Sequence, residues 1–350
     1  MGFDDLLLYV VDKEASDLHI TVGLPPMVRV DGRLKKFGDE KVSGEVLEGY
    51  CKKIMSDEQF AILNEKGEID LAYSIPSRGR FRVNAFKQRG AYAIVARVVN
   101  LTIPSPEELG LPSALMEMCD KKRGLVLVTG ATGSGKSTTL ASMIDQINKT
   151  YDYHVITLED PIEYLHRHNR SVVNQRELGV DTKSFTAALR GALRQDPDVI
   201  LVGEMRDLDT IATAITAAET GHLVLSTLHT TGAANTIDRI IDVFPADQQD
   251  QIRTQLADVL QCVVSQQLLP KIGGGRVGAF ELMISNPAIK NNIREGKTFQ
   301  IPSVMQTNLR MGMKTMDDAL LELFLKRQIT REEALTHAQD REALEKRIAF

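Results

Sequence analysis

Two α/β domains are predicted by three features of this 350-residue sequence. The amino-terminal part alternates short apolar runs with turn signals, and GRFRVNAFKQRGAYAIVARVV has the period of two that indicates a β-hairpin. The carboxy-terminal part instead separates wholly apolar runs by stretches of helical periodicity, as in a parallel sheet with crossover helices. Between them, NLTIPSPEELGLP contains three prolines, which disfavour helix and strand. We therefore predict an amino-terminal domain at 1–99, a linker or hinge at 100–112 and a second domain at 113–350.

The strands of the second domain are expected at four apolar runs, GLVLVTG, HVITLED, DVILVGE and HLVLSTLH. Such runs lack polar alternation because both faces of a parallel sheet are covered. After GGGRVGAFEL the sequence carries apolar residues at spacings of three and four, so a helical carboxy-terminal region is expected.

Composition disfavours several classes of protein. Lys and Arg total 42 against 47 Asp and Glu, a net charge of −5, so no direct nucleic-acid partner is expected. No apolar run approaches the roughly 18 residues of a membrane span, and the acidic start differs from a basic secretion signal. We expect a cytoplasmic location. Cys51, Cys119 and Cys262 are isolated, so they predict neither a disulfide framework nor a zinc site and are expected to be buried and reduced.

The segment GATGSGKS at 130–137 matches the phosphate-loop pattern GxxxxGK[ST] between an apolar strand and a helical stretch. Glycines let backbone N–H groups face a phosphate, and the following helix directs its positive dipole end there. Lys136 would reach the β- and γ-phosphates of ATP, and Ser137 would offer its hydroxyl to Mg²⁺. A glycine-rich turn with a chance lysine is the alternative. The predicted nucleotide contacts are Gly130, Ala131, Thr132, Gly133, Ser134, Gly135, Lys136, Ser137 and Thr138.

Three further segments resemble those of the secretion ATPase superfamily, the ring-forming motors of type II and type IV secretion and of type IV pili. ITLEDPIEY at 156–164 resembles its aspartate box, LRQDPDVILVGEMRD at 193–207 its atypical Walker B region, and GHLVLSTLH at 221–229 its histidine box. The resemblance covers nearly the whole chain. It implies a PAS-like α/β amino-terminal domain, a RecA-like P-loop ATPase domain with a helical carboxy-terminal region, and assembly as a homo-hexamer.

Carboxylates in these boxes fit the chemistry of hydrolysis, which needs one at the metal and another acceptor to orient water. Glu204 ends a buried strand and is predicted on the metal side. Glu163 is predicted to activate water, with Glu159 and Asp160 supporting it. A carboxylate after a strand is otherwise more often a helix N-cap or a charged loop residue. The phosphate loop in the same sequence makes the catalytic interpretation the favoured one.

His222 and His229 flank a predicted strand, so their imidazoles would lie near opposite ends and a zinc pair is not expected. The resemblance implies that His229 contacts the γ-phosphate, and we also include His222 among the nucleotide contacts. Either histidine could instead be structural. Thr227 and Thr230 favour a polar, phosphate-facing edge.

Arginines are implied at a subunit boundary, where one supplied by a neighbour can contribute ~10³ to 10⁵ in rate. The resemblance assigns this role to Arg82 and Arg97 on adjacent predicted strands, with Arg80 as an alternative. Arg190 and Arg194, one helical turn apart in FTAALRGALRQDPD, match a second pair. Any one of them alone could be a solvated surface charge.

The resemblance also indicates a branch of the superfamily. Extension and secretion motors carry a tetracysteine insertion and a longer amino-terminal region, whereas QQLLPKIGGGRVGAFEL has no cysteine. AIKNNIREGK at 288–297 resembles the AIRNLIRE motif of type IV pilus retraction ATPases, from which Lys290 and Asn292 depart. Retraction implies an inner-membrane pilus platform protein as partner and peripheral attachment to the cytoplasmic membrane through partners. The alternatives are an accessory retraction ATPase, a pilus assembly or type II secretion ATPase, a non-hydrolysing nucleotide-gated binding module, and a RecA-like nucleic-acid translocase.

Overall fold

The computed structural model divides the chain into two compact units. The described residues are 2–13, 15–30, 32–76, 78–99 and 102–349. The first unit comprises Met1–Thr102 with Glu163–Leu165, and the second comprises Ile103–Ile162 with His166–Phe350. Asn100 and Leu101, which open the predicted linker, lie outside the described residues.

In its described residues, the first unit contains an antiparallel sheet and three helices. Its helices are α1 (Phe3–Asp12), α2 (Gly44–Ile54) and α3 (Asp57–Lys66). Its strands are β1 (Asp17–Thr21), β2 (Met27–Val30), β3 (Arg33–Lys36), β4 (Glu68–Ile75), β5 (Gly79–Gln88) and β6 (Ala91–Val99). The strand order is β3-β2-β1-β6-β5-β4. The predicted hairpin is confirmed as β5 and β6, and apolar side chains that include Phe3, Leu18 and Phe81 form the core of this unit.

The second unit is built on a seven-stranded sheet. Its strands are β7 (Gly124–Thr129), β8 (His154–Glu159), β9 (Val172–Glu177), β10 (Val199–Val202), β11 (Leu223–Leu228), β12 (Leu260–Pro270) and β13 (Arg276–Ile284). Their order is β13-β12-β7-β11-β10-β8-β9, and only the pair of β12 with β13 is antiparallel. The four apolar runs correspond to β7, β8, β10 and β11, so the predicted parallel sheet is confirmed.

Helices cover both faces of this sheet. The helices of this unit are α4 (Pro106–Leu109), α5 (Ser113–Met116), α6 (Lys136–Thr150), α7 (Phe185–Ala192), α8 (Leu208–Glu219), α9 (Ala233–Asp242), α10 (Gln249–Val259), α11 (Pro287–Arg294), α12 (Ile301–Thr307), α13 (Met316–Leu325), α14 (Arg331–Thr336) and α15 (Arg341–Ile348). Successive residues of β7 show the two layers, since Leu125 and Leu127 pack in one core cluster and Val126 and Val128 in the other.

The prolines of the predicted linker do not prevent a helix there. Ser105 caps α4 by accepting a hydrogen bond from the Glu108 N–H at 3.2 Å, and Pro106 occupies the first turn. Proline is tolerated at this position because its missing N–H has no helical partner in any case. The expectation that residues 100–112 lack helix is therefore wrong for 106–109.

The three cysteines are free and buried, as predicted. Burial raises the pKa of Cys51 to about 11 and that of Cys119 to about 12, so both thiols stay protonated at neutral pH. Within the described ranges, no helix combines the length and apolar character needed to cross a bilayer.

Candidate functional site

The phosphate-loop segment lies where the sequence places it, between β7 and α6. Gly133 and Gly135 have φ values of 80° and 92°, a left-handed conformation that glycine adopts without a Cβ penalty. Gly135 is the N-cap of α6, so the positive end of that helix opens onto the loop. The Lys136 ammonium donates to the carbonyls of Gly130 at 2.9 Å and Ala131 at 3.0 Å, and the side chain is buried.

Two hydroxyls at this loop fit an anionic ligand. The Oγ1 of Thr129, the last residue of β7, and the Oγ of Ser134 are buried without a hydrogen-bond partner among the described residues. Buried polar atoms are normally paired, so such atoms beside a helix N-terminus favour a ligand with oxygen atoms. Ser137 and Thr138 follow in the first turn of α6. The residues present therefore fit the phosphates of a nucleotide.

Glu204 follows β10 at the same edge of the sheet, because parallel strands place their carboxyl ends together. Hydrogen bonds hold the backbone on both sides of Glu204. The Gly203 N–H donates to the Leu158 carbonyl at 2.7 Å, and the Met205 N–H donates to the Thr227 carbonyl at 3.1 Å. These bonds to the neighbouring strands β8 and β11 fix the direction in which Glu204 leaves the sheet.

The Glu204 carboxylate is largely buried and held by two cationic or ionisable groups. Its Oε1 lies 2.6 Å from Nε of Arg206, and its Oε2 lies 3.6 Å from Nε2 of His229. A cavity of about 580 Å³ opens beside them, and Thr132 of the phosphate loop and Arg239 of α9 also line it. Arg206 and Arg239 were not among the predicted site residues, although Arg206 stands two positions after Glu204 in the Walker B segment.

The aspartate box ends β8 in the same region. Glu159 is the last residue of the strand, and its Oε1 accepts from Thr157 at 2.6 Å and from Gln175 at 3.0 Å. Asp160 follows with its peptide to Pro161 in the cis form, and Glu163 lies exposed beyond them. The structure thus orders Glu159 in a hydrogen-bonded network and leaves Glu163 on the surface.

The two histidines lie at opposite ends of β11, as predicted. His229 follows the strand beside the phosphate-loop edge, whereas His222 precedes it and its Nδ1 is 2.9 Å from the Ala217 carbonyl oxygen. The two residues are seven positions apart along an extended strand, which at about 3.3 Å each separates them by about 23 Å. The structure therefore places His222 at the other edge of the sheet from the phosphate loop, and its nucleotide contact stays a prediction.

The amino-terminal arginines are arranged on one hairpin. Arg82 on β5 and Arg97 on β6 are direct cross-strand partners, so their side chains share a face of the sheet, and both are exposed. The Arg97 Nε lies 2.8 Å from Oδ1 of buried Asp17, which Arg29 also approaches at 3.6 Å. Burial opposes ionisation of Asp17, but hydrogen bonds from Ser16 and Arg97 hold its pKa below the usual value. Arg80 lies on β5 opposite Val99.

The second arginine pair does not share a helix. Arg190 lies in α7, but that helix ends at Ala192 and Arg194 follows in a turn. The cause lies just beyond: Asp196 has a positive φ of 51° and precedes a proline, which disfavours helical geometry before it. The prediction that one helical turn separates these arginines is corrected on this point, and both side chains are exposed.

Comparison with known proteins agrees with this geometry. Residues 3–275 match the family of type II/IV secretion system proteins. The "Type IV pilus retractation ATPase PilT" of Pseudomonas aeruginosa is 49% identical over 97% of this chain and 98% of its own length. The type IV pilus ATPase PilU of the same organism is 43% identical over 97% of this chain and 89% of its own length. A crystal structure of the pilus retraction motor PilT with bound ADP is similar with a TM-score of 0.92 and 49% identity, covering 99% of both chains. The chain therefore belongs to the type II/IV secretion system protein family and is an ATPase.

Proposed function

We propose that this chain is a motor that hydrolyses ATP to retract a type IV pilus. The observation that carries the proposal is the convergence of the phosphate loop, Glu204 and His229 at one edge of a parallel sheet. Similarity to the retraction ATPase PilT along nearly the whole of both chains supports retraction rather than extension of the pilus. An accessory retraction role is the second candidate, because PilU is also similar over nearly the whole chain.

The site residues divide the work of hydrolysis. The backbone of residues 130–135 and the Lys136 ammonium would hold the phosphates, and Ser137 and Glu204 would hold Mg²⁺, partly through water. Mg²⁺, when bound, neutralises charge on the phosphate oxygens. Glu163 orients the attacking water, and His229 contacts the terminal phosphate. In this structure, the Glu204 carboxylate is paired with Arg206.

The exposed arginines of the hairpin support a ring. Arg82 and Arg97 project from one face of the amino-terminal sheet and are available to a neighbouring copy of the chain. In a homo-hexamer each hairpin would supply a cation to the nucleotide of the next subunit, which stabilises charge in the transition state. Asp17 orients Arg97 through the 2.8 Å contact with its Nε.

Mixing two inactive variants tests this arrangement. A ring that combines Lys136→Ala with Arg97→Ala subunits contains some sites with an intact lysine beside an intact arginine, so turnover should exceed the sum of the separate variants. Phosphate release is measured at several mixing ratios. Arg29→Ala is the matched control, because Arg29 approaches the same Asp17 carboxylate from β2 but has no assigned role, and its turnover should stay near that of wild type. Absence of any gain on mixing would contradict action across the subunit boundary.

A retraction motor must also transmit force to a pilus. We propose an inner-membrane platform protein as the partner, with the ring held at the cytoplasmic face of the membrane through that partner. The segment 288–297 is the candidate contact, and the structure forms it as α11 and the residues that follow. Lys290 is half-buried there, whereas Asn292 is buried, so Lys290 is the departure from the retraction motif that a partner can reach.

Deletion of the gene with time-lapse imaging of labelled pili tests the function itself. A retraction motor predicts fibres that extend and persist, and complementation with the wild-type gene should restore shortening. Pili that still retract at the normal rate in the deletion strain would instead favour the accessory role. Steady-state phosphate release separates a motor from a nucleotide-gated binding module, which would bind ATP without turnover.

A further inference from the structure

Gln266 on β12 is a buried polar residue that touches the phosphate loop from outside the recognised motifs. Its side-chain Oε1 accepts from the Thr139 hydroxyl at 2.9 Å, and its Nε2 donates to the Ser134 carbonyl at 2.6 Å. Only 3% of Gln266 and 2% of Thr139 are exposed to solvent. One amide therefore joins the end of the loop to the first turn of α6.

The register of β12 explains this position. Ser265 pairs in parallel with Thr129, the last residue of β7, so Gln266 stands beside the first residue of the loop. A Cβ added at Gly130 would lie 2.3 Å from the Gln266 carbonyl oxygen, and one at Gly135 would lie 3.1 Å from its Nε2. Gln266 thus occupies the space that two glycines of the motif leave open.

The bond to Ser134 has a consequence for the loop. In a planar trans peptide the carbonyl and the following N–H point in opposite directions. Because Nε2 of Gln266 holds the Ser134 carbonyl, the Gly135 N–H must point away from β12. Gly135 is the N-cap of α6, where backbone N–H groups of a phosphate loop meet the ligand.

The Ser134 carbonyl decides which way the amide faces, because a carbonyl oxygen can only accept and Nε2 is the donor of the side chain. The Thr139 hydroxyl donates to Oε1 and holds the amide in this orientation. In a flipped amide the hydroxyl could accept from Nε2, but two carbonyl oxygens would then face each other at Ser134. Gln266 and Thr139 therefore act as one unit.

We propose that Gln266, held in place by Thr139, is a positioning residue that sets the Ser134–Gly135 peptide for phosphate binding. In this role it acts through the loop backbone. Without it the peptide is free to rotate, and the loop must be ordered at the moment the nucleotide binds. The inference rests on the proposed ATPase site and adds to it a residue of a strand that carries none of its motifs.

The test is equilibrium binding of ADP and of ATP with Mg²⁺ to the full chain, together with thermal unfolding with and without nucleotide. Gln266→Met keeps the length of the side chain but removes both bonds, and we expect affinity for both nucleotides to fall by roughly tenfold to a hundredfold. Thr139→Val should shift affinity in the same direction, and Thr139→Ser, which keeps the hydroxyl, should restore it.

Gln267→Met is the matched control for a merely structural effect. Gln267 is the next residue of the same strand, and its side chain faces the other side of the sheet. Its Nε2 lies 3.3 Å from the His337 carbonyl oxygen, and its Oε1 lies 2.9 Å from Nδ1 of His337. This variant should lose thermal stability but keep wild-type nucleotide affinity. Unchanged affinity in Gln266→Met, or an equal loss in Gln267→Met, would overturn the inference. Failure of the wild-type chain to bind would instead overturn the proposed function. If Gln266→Met does not fold, the nucleotide affinities of Thr139→Val and Thr139→Ser test the inference in the same way.

Discussion

Replacing Lys136 with alanine is expected to lower ATP turnover by at least ~10³-fold, since a fixed cation at the phosphates is then lost from a largely buried site. The structure gives a reason for so large an effect. Lys136 is 8% exposed, and two loop carbonyls hold its ammonium within the phosphate loop before any ligand arrives. Its charge is therefore already positioned, and no other lysine lies in the loop. Phosphate release by the purified chain measures the effect.

Lys149→Ala is the matched control for Lys136→Ala. Lys149 lies in the last turn of the same helix and pairs with Asp145 at 2.5 Å on an exposed surface. Removing such a pair costs little, so turnover should stay within about twofold of wild type. The loop assignment would be wrong if the two variants hydrolysed ATP at similar rates while both remained folded.

Replacing Glu204 with glutamine should lower turnover by ~10²- to 10⁴-fold, the range typical of a lost acid–base or charge-stabilising group. Glutamine has nearly the same shape, so the fold is retained while the negative charge is removed. The side chain is 14% exposed, and hydrogen bonds to β8 and β11 fix the backbone on either side of it. Single-turnover rates with bound ATP separate this chemical effect from a change in binding.

The Arg206→Ala variant distinguishes the effect of the Glu204 charge on turnover from the effect of its ion pair with Arg206. This variant breaks the 2.6 Å contact but keeps the carboxylate, so a much smaller loss of turnover is expected than in Glu204→Gln. Equal losses of turnover would show that hydrolysis depends on the ion pair rather than on the carboxylate alone.

Glu163→Gln should also reduce turnover if Glu163 orients the attacking water. Full ATPase activity in that variant would remove Glu163 from the mechanism.

The parallel sheet and its phosphate loop were predictable because their signals are local. β7, β10 and β11 are buried along their whole length, and such strands read as unbroken apolar runs. The loop follows from the spacing of Gly130, Gly135 and Lys136 in one short motif. Once parallel strands are assumed, Glu204 and His229 must share an edge with that loop, so their convergence also follows from sequence.

The remaining features depend on contacts between distant segments. Gln266 lies 127 residues from Thr139, and no local pattern indicates that its amide reaches the loop. The same limit applies to Glu281, whose buried carboxylate accepts from the N–H groups of Ala233 at 2.7 Å and Met316 at 3.1 Å, at the starts of α9 and α13. The prediction of His222 as a nucleotide contact came from the histidine box as a whole, and β11 places this residue at the opposite end of the strand from His229.

The most direct measurement of the central claim is retention of ATP with Mg²⁺ by the purified, folded chain, compared with its Lys136→Ala variant in the same buffer. The account predicts that the wild-type chain binds the nucleotide in a saturable manner and that the variant binds it far more weakly. Equal binding by the two proteins, or none by a folded wild-type chain, would contradict the assignment of residues 130–137 as the phosphate site.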